Sequence, residues 1–140
     1  MLILALDTDR KFLESLGAML KQALPDVDYR GFTTVSECFD FVRYHDVEIV
    51  FFNIGMGSHP YRREVILYEL RKIIPRLDFV LVGDDTVLDS STALWSIQNR
   101  CSDYLQKPLT PDKLIRSLSC IWVHKIPKQD LANAERLIWA

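Results

Sequence analysis

Glu48-Ile49-Val50-Phe51-Phe52-Asn53 is the most apolar strand-like stretch of this 140-residue chain. Four consecutive large apolar residues between polar ends predict a strand buried on both faces. Such strands occur in parallel sheets covered by helices on each side. Working outward, apolar runs of strand length recur at Leu2–Leu6, Val27–Phe32, Phe79–Val82 and Tyr104–Leu105. The segments between them have helical spacing. Phe12, Leu13, Leu16, Met19, Leu20, Ala23 and Leu24 trace one helix face, ended by Pro25-Asp26. Val35, Cys38, Phe39 and Val42 trace a second, with Thr34 and Glu37 offering a capping box. Ile66, Leu70, Ile73 and Ile74 make a third, closed by Pro75. Leu88, Ser91 and Trp95, with Ala93, Leu94 and Ile97 nearby, make a weaker fourth. Leu114, Ile115, Leu118, Ile121 and Trp122 make a fifth, with Thr110 as N-cap and Pro111 in its first turn.

The predicted order is therefore βαβαβαβαβα. With right-handed crossovers it gives a doubly wound, five-stranded parallel sheet, the (βα)5 flavodoxin-like α/β class. Ligands in such sheets sit beyond the carboxyl ends of the strands. The residues there are Asp7, Thr8 and Asp9; Asn53 to Gly57; Gly83, Asp84 and Asp85; and Lys107. The pattern predicts one domain over residues 1–122. Val123 to Pro127 reads as a linker, and Lys128 to Ala140 as a short helical tail with Leu131, Ala134 and Ile138 on one face.

Composition sets the outer bounds. A net charge of −2 with no compensating basic face argues against a nucleic-acid surface. No apolar run approaches membrane-spanning length, and Met1–Leu6 lacks the basic flank of a signal peptide. Cys38, Cys101 and Cys120 show no C-x-x-C spacing, which predicts reduced thiols and a cytoplasmic location. His45, His59 and His124 lack metal-ligand spacing. Gly55-Met56-Gly57 is not followed by the rest of a dinucleotide fingerprint. The first βα turn has no glycine to cradle a phosphate.

Five βα units, acids after the first strand, a polar residue ending the third and Lys107-Pro108 after the fifth resemble the receiver (CheY-like) domain of two-component response regulators. The resemblance covers residues 1–122. Asp103-Tyr104-Leu105-Gln106-Lys107-Pro108-Leu109-Thr110 is its closest local match. It implies a signalling module in which a carboxylate ending the third strand accepts a phosphoryl group. Two acids after the first strand hold Mg²⁺, and a Ser or Thr after the fourth strand and the Lys before a cis-proline contact the phosphoryl group. Tyr104 falls on the family's switch aromatic.

The departures from that pattern are chemical. Asn53 stands at the acceptor position, and a neutral amide is a far weaker nucleophile than a carboxylate. One of the two acids is Thr8, which leaves Asp7 with only Asp9 to compensate. Mg²⁺ requires hard, charged oxygens, so weak binding at Asp7 and Asp9 is the most that these residues predict, and no other cofactor is expected. Gly83 replaces the Ser or Thr. Together these changes imply a degenerate pseudo-receiver, not an enzyme, that acts by protein contacts. The resemblance places the partner or homodimer surface over residues 88–122, with Trp95, Tyr104, Leu118 and Trp122 as contacts. Three polar residues each have two readings. Lys107 either forms an ion pair with Asp7 in place of metal and phosphate or faces solvent from its loop; the Asn53 amide oxygen either bonds Lys107 or serves only the chemistry of its own turn; Asp9 is either a remnant of the metal site or the cap of the first helix. The alternatives are a phosphorylatable receiver using Asp7, Asp9, Asp84 or Asp85, and a flavodoxin-like ligand-binding or enzyme domain.

Overall fold

The computed structural model describes residues 1–56, 62–84 and 90–122, with backbone only at 90–93 and 122. The expectations for Gly57, His59, Asp85, Leu88, His124, the linker and the tail, and for the Trp122 side chain, lie outside the described residues. Ten elements alternate as predicted: β1 (Leu2–Leu6), α1 (Arg10–Ala23), β2 (Asp28–Phe32), α2 (Val35–Val42), β3 (Ile49–Asn53), α3 (Arg63–Ile73), β4 (Asp78–Gly83), α4 (Ser90–Gln98), β5 (Asp103–Gln106) and α5 (Pro111–Trp122). All strand pairs are parallel, in the order β2-β1-β3-β4-β5. The winding reverses between β1 and β3, so the ends of these two strands flank the topological switch point.

Alternation along β3 divides the interior into two layers. Ile49 and Phe51 join Ile3, Ala5, Val80 and Val82 beneath α1 and α5. Val50 and Phe52 join Leu4, Leu6, Phe79 and Leu81 beneath α2 and α3. Phe51 and Phe52 are at most 1% exposed. Full burial stabilises each such side chain by about 1.5–3 kcal/mol. A polar substitution in this run would therefore damage a layer of the core, on whichever face it fell.

Local chemistry sets the element ends. Asp9 caps α1, its carboxylate accepting from the Lys11 and Phe12 amides at 3.0 and 3.2 Å. Thr34 caps α2 by accepting from the Glu37 amide at 3.4 Å. Val27, expected to open β2, instead donates its amide to the Leu24 carbonyl at 2.9 Å. That bond closes the turn after α1 and delays the strand by one residue. Two ties hold α4 against α3. Arg71 donates to the Asn99 and Arg100 carbonyls at 2.6 and 2.8 Å, satisfying acceptors just beyond the α4 C-terminus. Trp95 Nε1 donates to Glu64 Oε1 at 3.0 Å.

Several helix-face expectations need correction. Leu118, expected as a surface contact, is fully buried, because the Leu114–Ile115–Leu118 stripe of α5 faces the sheet. Leu94 and Ile97, expected on the packed stripe of α4, are 53% and 74% exposed. Trp95, also expected on that stripe, does pack inward, and Ser96 takes the other buried position. Trp95 is thus engaged within the chain: Arg63 also stacks over its ring, 4.9 Å from the centroid.

Candidate functional site

Asp7 follows β1 at the switch point and is 1% exposed. A buried carboxylate is costly unless its oxygens are hydrogen-bonded and its charge is paired. Both conditions are met. Oδ1 accepts the Asp9 amide at 2.9 Å. Oδ2 accepts the Asn53 amide nitrogen at 2.9 Å and pairs with Lys107 Nζ at 2.8 Å. Residues following or ending β1, β3 and β5 therefore converge on one carboxylate.

Asn53 uses both ends of its side chain. Its Nδ2 donates to Asp7, and its Oδ1 accepts the Gly55 amide at 2.6 Å, an Asx-type turn that starts the β3–α3 connection. Of the two readings of the Asn53 oxygen, the structure shows the turn contact and no bond to Lys107. Asp7 lies between them as the stronger, charged acceptor, and the amide oxygen is committed to its own loop. The ion pair expected between Lys107 and Asp7 is present.

Lys107 is held from several directions. Its amide donates to the Gly83 carbonyl at 2.8 Å, and the peptide to Pro108 is cis. Its side chain is 15% exposed, and Nζ lies 4.2 Å from the centroid of the Phe12 ring. Asp84, 69% exposed, approaches Nζ to 3.7 Å. Beside this cation a groove of about 490 Å³ opens between α1 and the β5–α5 loop, lined by Phe12, Ser15, Met19, Asp84, Pro108 and Leu109.

The donor set does not fit a divalent cation. Asp7 is already paired with Lys107 and accepts from Asn53 and the Asp9 amide, Asp9 Oδ1 caps α1, Thr8 is exposed and Asn53 Oδ1 is bonded to Gly55. Among the described residues, no three His, Cys, Asp or Glu side chains are grouped to hold a metal ion. Of the two roles expected for Asp9, the structure shows the helix cap.

Gly83 has a role that its position alone did not reveal. A Cβ built on it would overlap the Tyr104 hydroxyl and lie 3.1 and 3.3 Å from ring atoms Cζ and Cε2. The half-buried Tyr104 ring thus rests over the end of β4, in the space a side chain at residue 83 would fill. A glycine inside a strand signals such a close approach, and an aromatic two residues from the β5 partner of Gly83 was the available clue. Phe12 and Asp84 were also missed as neighbours of Lys107. Their sequence signal, an aromatic and an acid near strand ends, is too common to single them out.

Burial shifts two further groups. The Cys38 thiol, on the buried face of α2, is pushed up to about 12. The Tyr29 hydroxyl is raised well above its usual value, mainly by burial and secondarily by the Asp7 carboxylate. It donates to the Leu13 carbonyl at 2.8 Å.

The architecture is that of receiver domains. The chain superposes on a response regulator receiver domain protein (CheY-like) from Methanospirillum hungatei JF-1 with a TM-score of 0.69 at 18% identity, over 97% of each chain. A two-component response regulator from Clostridium difficile gives 0.75 at 16% identity, covering 91% of this chain and 99% of that one. A response regulator from Thermotoga maritima gives 0.69 at 20% identity, covering 86% and 96%. No protein-family model matches the chain, and no curated protein matches it in sequence. Identities this low establish a shared fold, and a fold alone does not assign a function.

Proposed function

We propose that residues 1–122 form a receiver-like signalling module that is not phosphorylated at the usual position and acts through protein contacts. The pairing of Asp7 with Lys107, together with its bonds from Asn53 and the Asp9 amide, carries this proposal. A phosphoryl acceptor at position 53 needs a nucleophilic carboxylate and cations to offset the incoming charge. Asn53 is neutral and donates a hydrogen bond toward Asp7. Lys107, the one cation in contact with Asp7 among the described residues, already neutralises it. Mg²⁺ would have to displace that ammonium to reach Asp7, so binding there is weak at best.

The partner surface in this proposal is the α4–β5–α5 side, within residues 88–122. Leu94 and Ile97 are its exposed apolar positions, and Tyr104 lies at its edge. Another protein or a second copy is the partner, and neither nucleic acid nor membrane is engaged. Among the described residues, no helix is long and apolar enough to cross a membrane. A cytoplasmic setting accords with the free thiols of Cys38, Cys101 and Cys120. The segment 123–140 serves as linker and tail.

A second possibility rests on Asp84, which is exposed and 3.7 Å from Lys107. Asp9 is exposed at the same groove, but its Oδ1 caps α1, whereas Asp84 caps no described helix. Incubating the protein with a small acyl phosphate and Mg²⁺, followed by intact-mass measurement, tests both. Unchanged mass is expected. A stoichiometric gain of one phosphoryl group refutes the main proposal, and loss of that gain in Asp84→Asn assigns it to Asp84.

A further inference from the structure

β2 forms one edge of the sheet. Among the described residues β2 is bonded on one side only, to β1. The Asp28 amide donates to the Met1 carbonyl, and the Phe32 carbonyl accepts the Asp7 amide. In a parallel ladder, alternate residues bond the same neighbour. Asp28, Arg30 and Phe32 therefore turn their backbone groups toward β1, while Tyr29 and Gly31 turn theirs outward. Among the described residues nothing covers that edge. An open groove of about 370 Å³ runs beside it, lined by Leu13, Tyr29, Gly31 and Thr33, with Arg10 and Glu14 on its α1 side.

Exposed edges are normally blunted by proline, bulges or repelling charge. Asp28-Tyr29-Arg30-Gly31-Phe32 contains no proline, and its ladder to β1 runs without a bulge. Its two charges are exposed, opposite in sign and two residues apart, on the same face of the strand. We propose that β2 pairs antiparallel with β2 of a second copy about a two-fold axis at Tyr29. This register sets Tyr29 opposite Tyr29 as the hydrogen-bonded pair. It sets Asp28 opposite Arg30 of the other copy, twice, at the closer non-hydrogen-bonded positions. Shifting the axis to Arg30 would oppose two arginines, so charge selects the register centred on Tyr29. The interface is isologous, as two-fold symmetry requires, and joins two five-stranded sheets into one. It is distinct from the α4–β5–α5 side.

The test uses the full 140-residue chain and sedimentation equilibrium across a concentration series. Wild type is expected to dimerise. Asp28→Arg and Arg30→Asp each convert two attractive pairs into two repulsive ones, weakening the dimer about 30-fold. Mixing these two variants is expected to restore dimer as a heterodimer, and the double variant Asp28→Arg/Arg30→Asp to restore it alone. Both residues are exposed, so circular dichroism should show every variant folded. Hydrogen exchange should show the Tyr29 and Gly31 amides protected only at dimer-forming concentrations. The proposal is overturned by a wild type that stays monomeric, including one whose Tyr29 and Gly31 amides are protected by its own chain. It is also overturned by a dimer that survives Arg30→Asp but dissociates with Ile97→Glu. That last result would leave the proposed signalling role intact.

Discussion

Gly83→Ala should destabilise the protein, although alanine is ordinarily the better residue in a strand. Removing the glycine's backbone entropy cost favours alanine by about 0.5–1 kcal/mol. Against this stands Tyr104, whose hydroxyl overlaps the new methyl group and whose ring atoms lie 3.1 and 3.3 Å from it. The backbone of β4 cannot yield, since it is paired to β3 and β5 along its length. The phenol must swing away. Displacing a half-buried tyrosine exposes on the order of 80 Å² of ring. At ~25 cal/mol per Å² that costs about 2 kcal/mol, leaving a net destabilisation of about 1–1.5 kcal/mol. For a chain of this size the melting temperature should fall by about 3–5 °C.

A double-mutant cycle isolates the contact. In a Tyr104→Ala background nothing opposes the methyl group, and Gly83→Ala should stabilise by about 0.5–1 kcal/mol. The coupling between the two sites is then about 2 kcal/mol, measurable by urea denaturation. Tyr104→Phe should give an intermediate result, because the hydroxyl is the nearest atom. If Gly83→Ala is neutral or stabilising with Tyr104 present, or has the same effect in both backgrounds, Tyr104 does not rest on Gly83 and the reasoning fails.

Three other outcomes follow from the site and the core. Asn53→Asp replaces a donor 2.9 Å from Asp7 with a second carboxylate, so it should cost about 2 kcal/mol of stability without metal. Added Mg²⁺ should recover part of that loss in the variant and leave wild type unchanged, read by thermal shift with and without the ion. Lys107→Met strands the Asp7 charge and should cost about 2–4 kcal/mol in urea titration, the Asn53 and Asp9 bonds limiting the loss. Stability should decline in alkali from about pH 9, the ordinary thiol value, toward 12, because the folded state retains the Cys38 proton that the unfolded chain releases. Tyr29 adds to the decline in the same direction, so Cys38→Ala and Tyr29→Phe should each flatten a pH series of unfolding midpoints.

The fold was legible because its signals are periodic. Alternating βα segments with apolar central strands admit few arrangements other than a doubly wound parallel sheet. The expected strands over Leu2–Leu6 and Ile49–Phe52 match β1 and β3 to within one residue. The errors fall where periodicity is weakest. In α4 the residues at 94, 95 and 97 are all large and apolar, and the spacing does not say which of them faces inward. The ties from Arg71 and Glu64 help settle its rotation, and both come from a different helix. Leu118 was misplaced for another reason. A partner surface borrowed from a resemblance specifies a helix, and burial decides which of its faces is available.

The site was legible as a set of residues but not as a set of bonds. Strand-end logic brought Asp7, Asn53, Gly83 and Lys107 to one place. Which donor meets which acceptor depends on competition that sequence does not encode. Asn53 has an acceptor end that suits Lys107 and a donor end that suits Asp7. The Gly55 amide decides the matter by occupying the acceptor. Once that is fixed, the neighbouring residues are mutually consistent. A carboxylate at position 53 would face Asp7 across 2.9 Å, and Lys107 alone would leave the pair one negative charge in excess, a vacancy for a cation. An amide there adds a donor and no charge, so Asp7 and Lys107 balance without a metal. At the end of β4 the absence of a side chain is matched by the Tyr104 ring, which fills the space. Introducing one polar group alone would therefore disturb a closed set of contacts. For that reason the response of Asn53→Asp to Mg²⁺ and the coupling of Gly83 to Tyr104 should be independent: the first is a matter of charge at β1 and β3, the second of volume between β4 and β5.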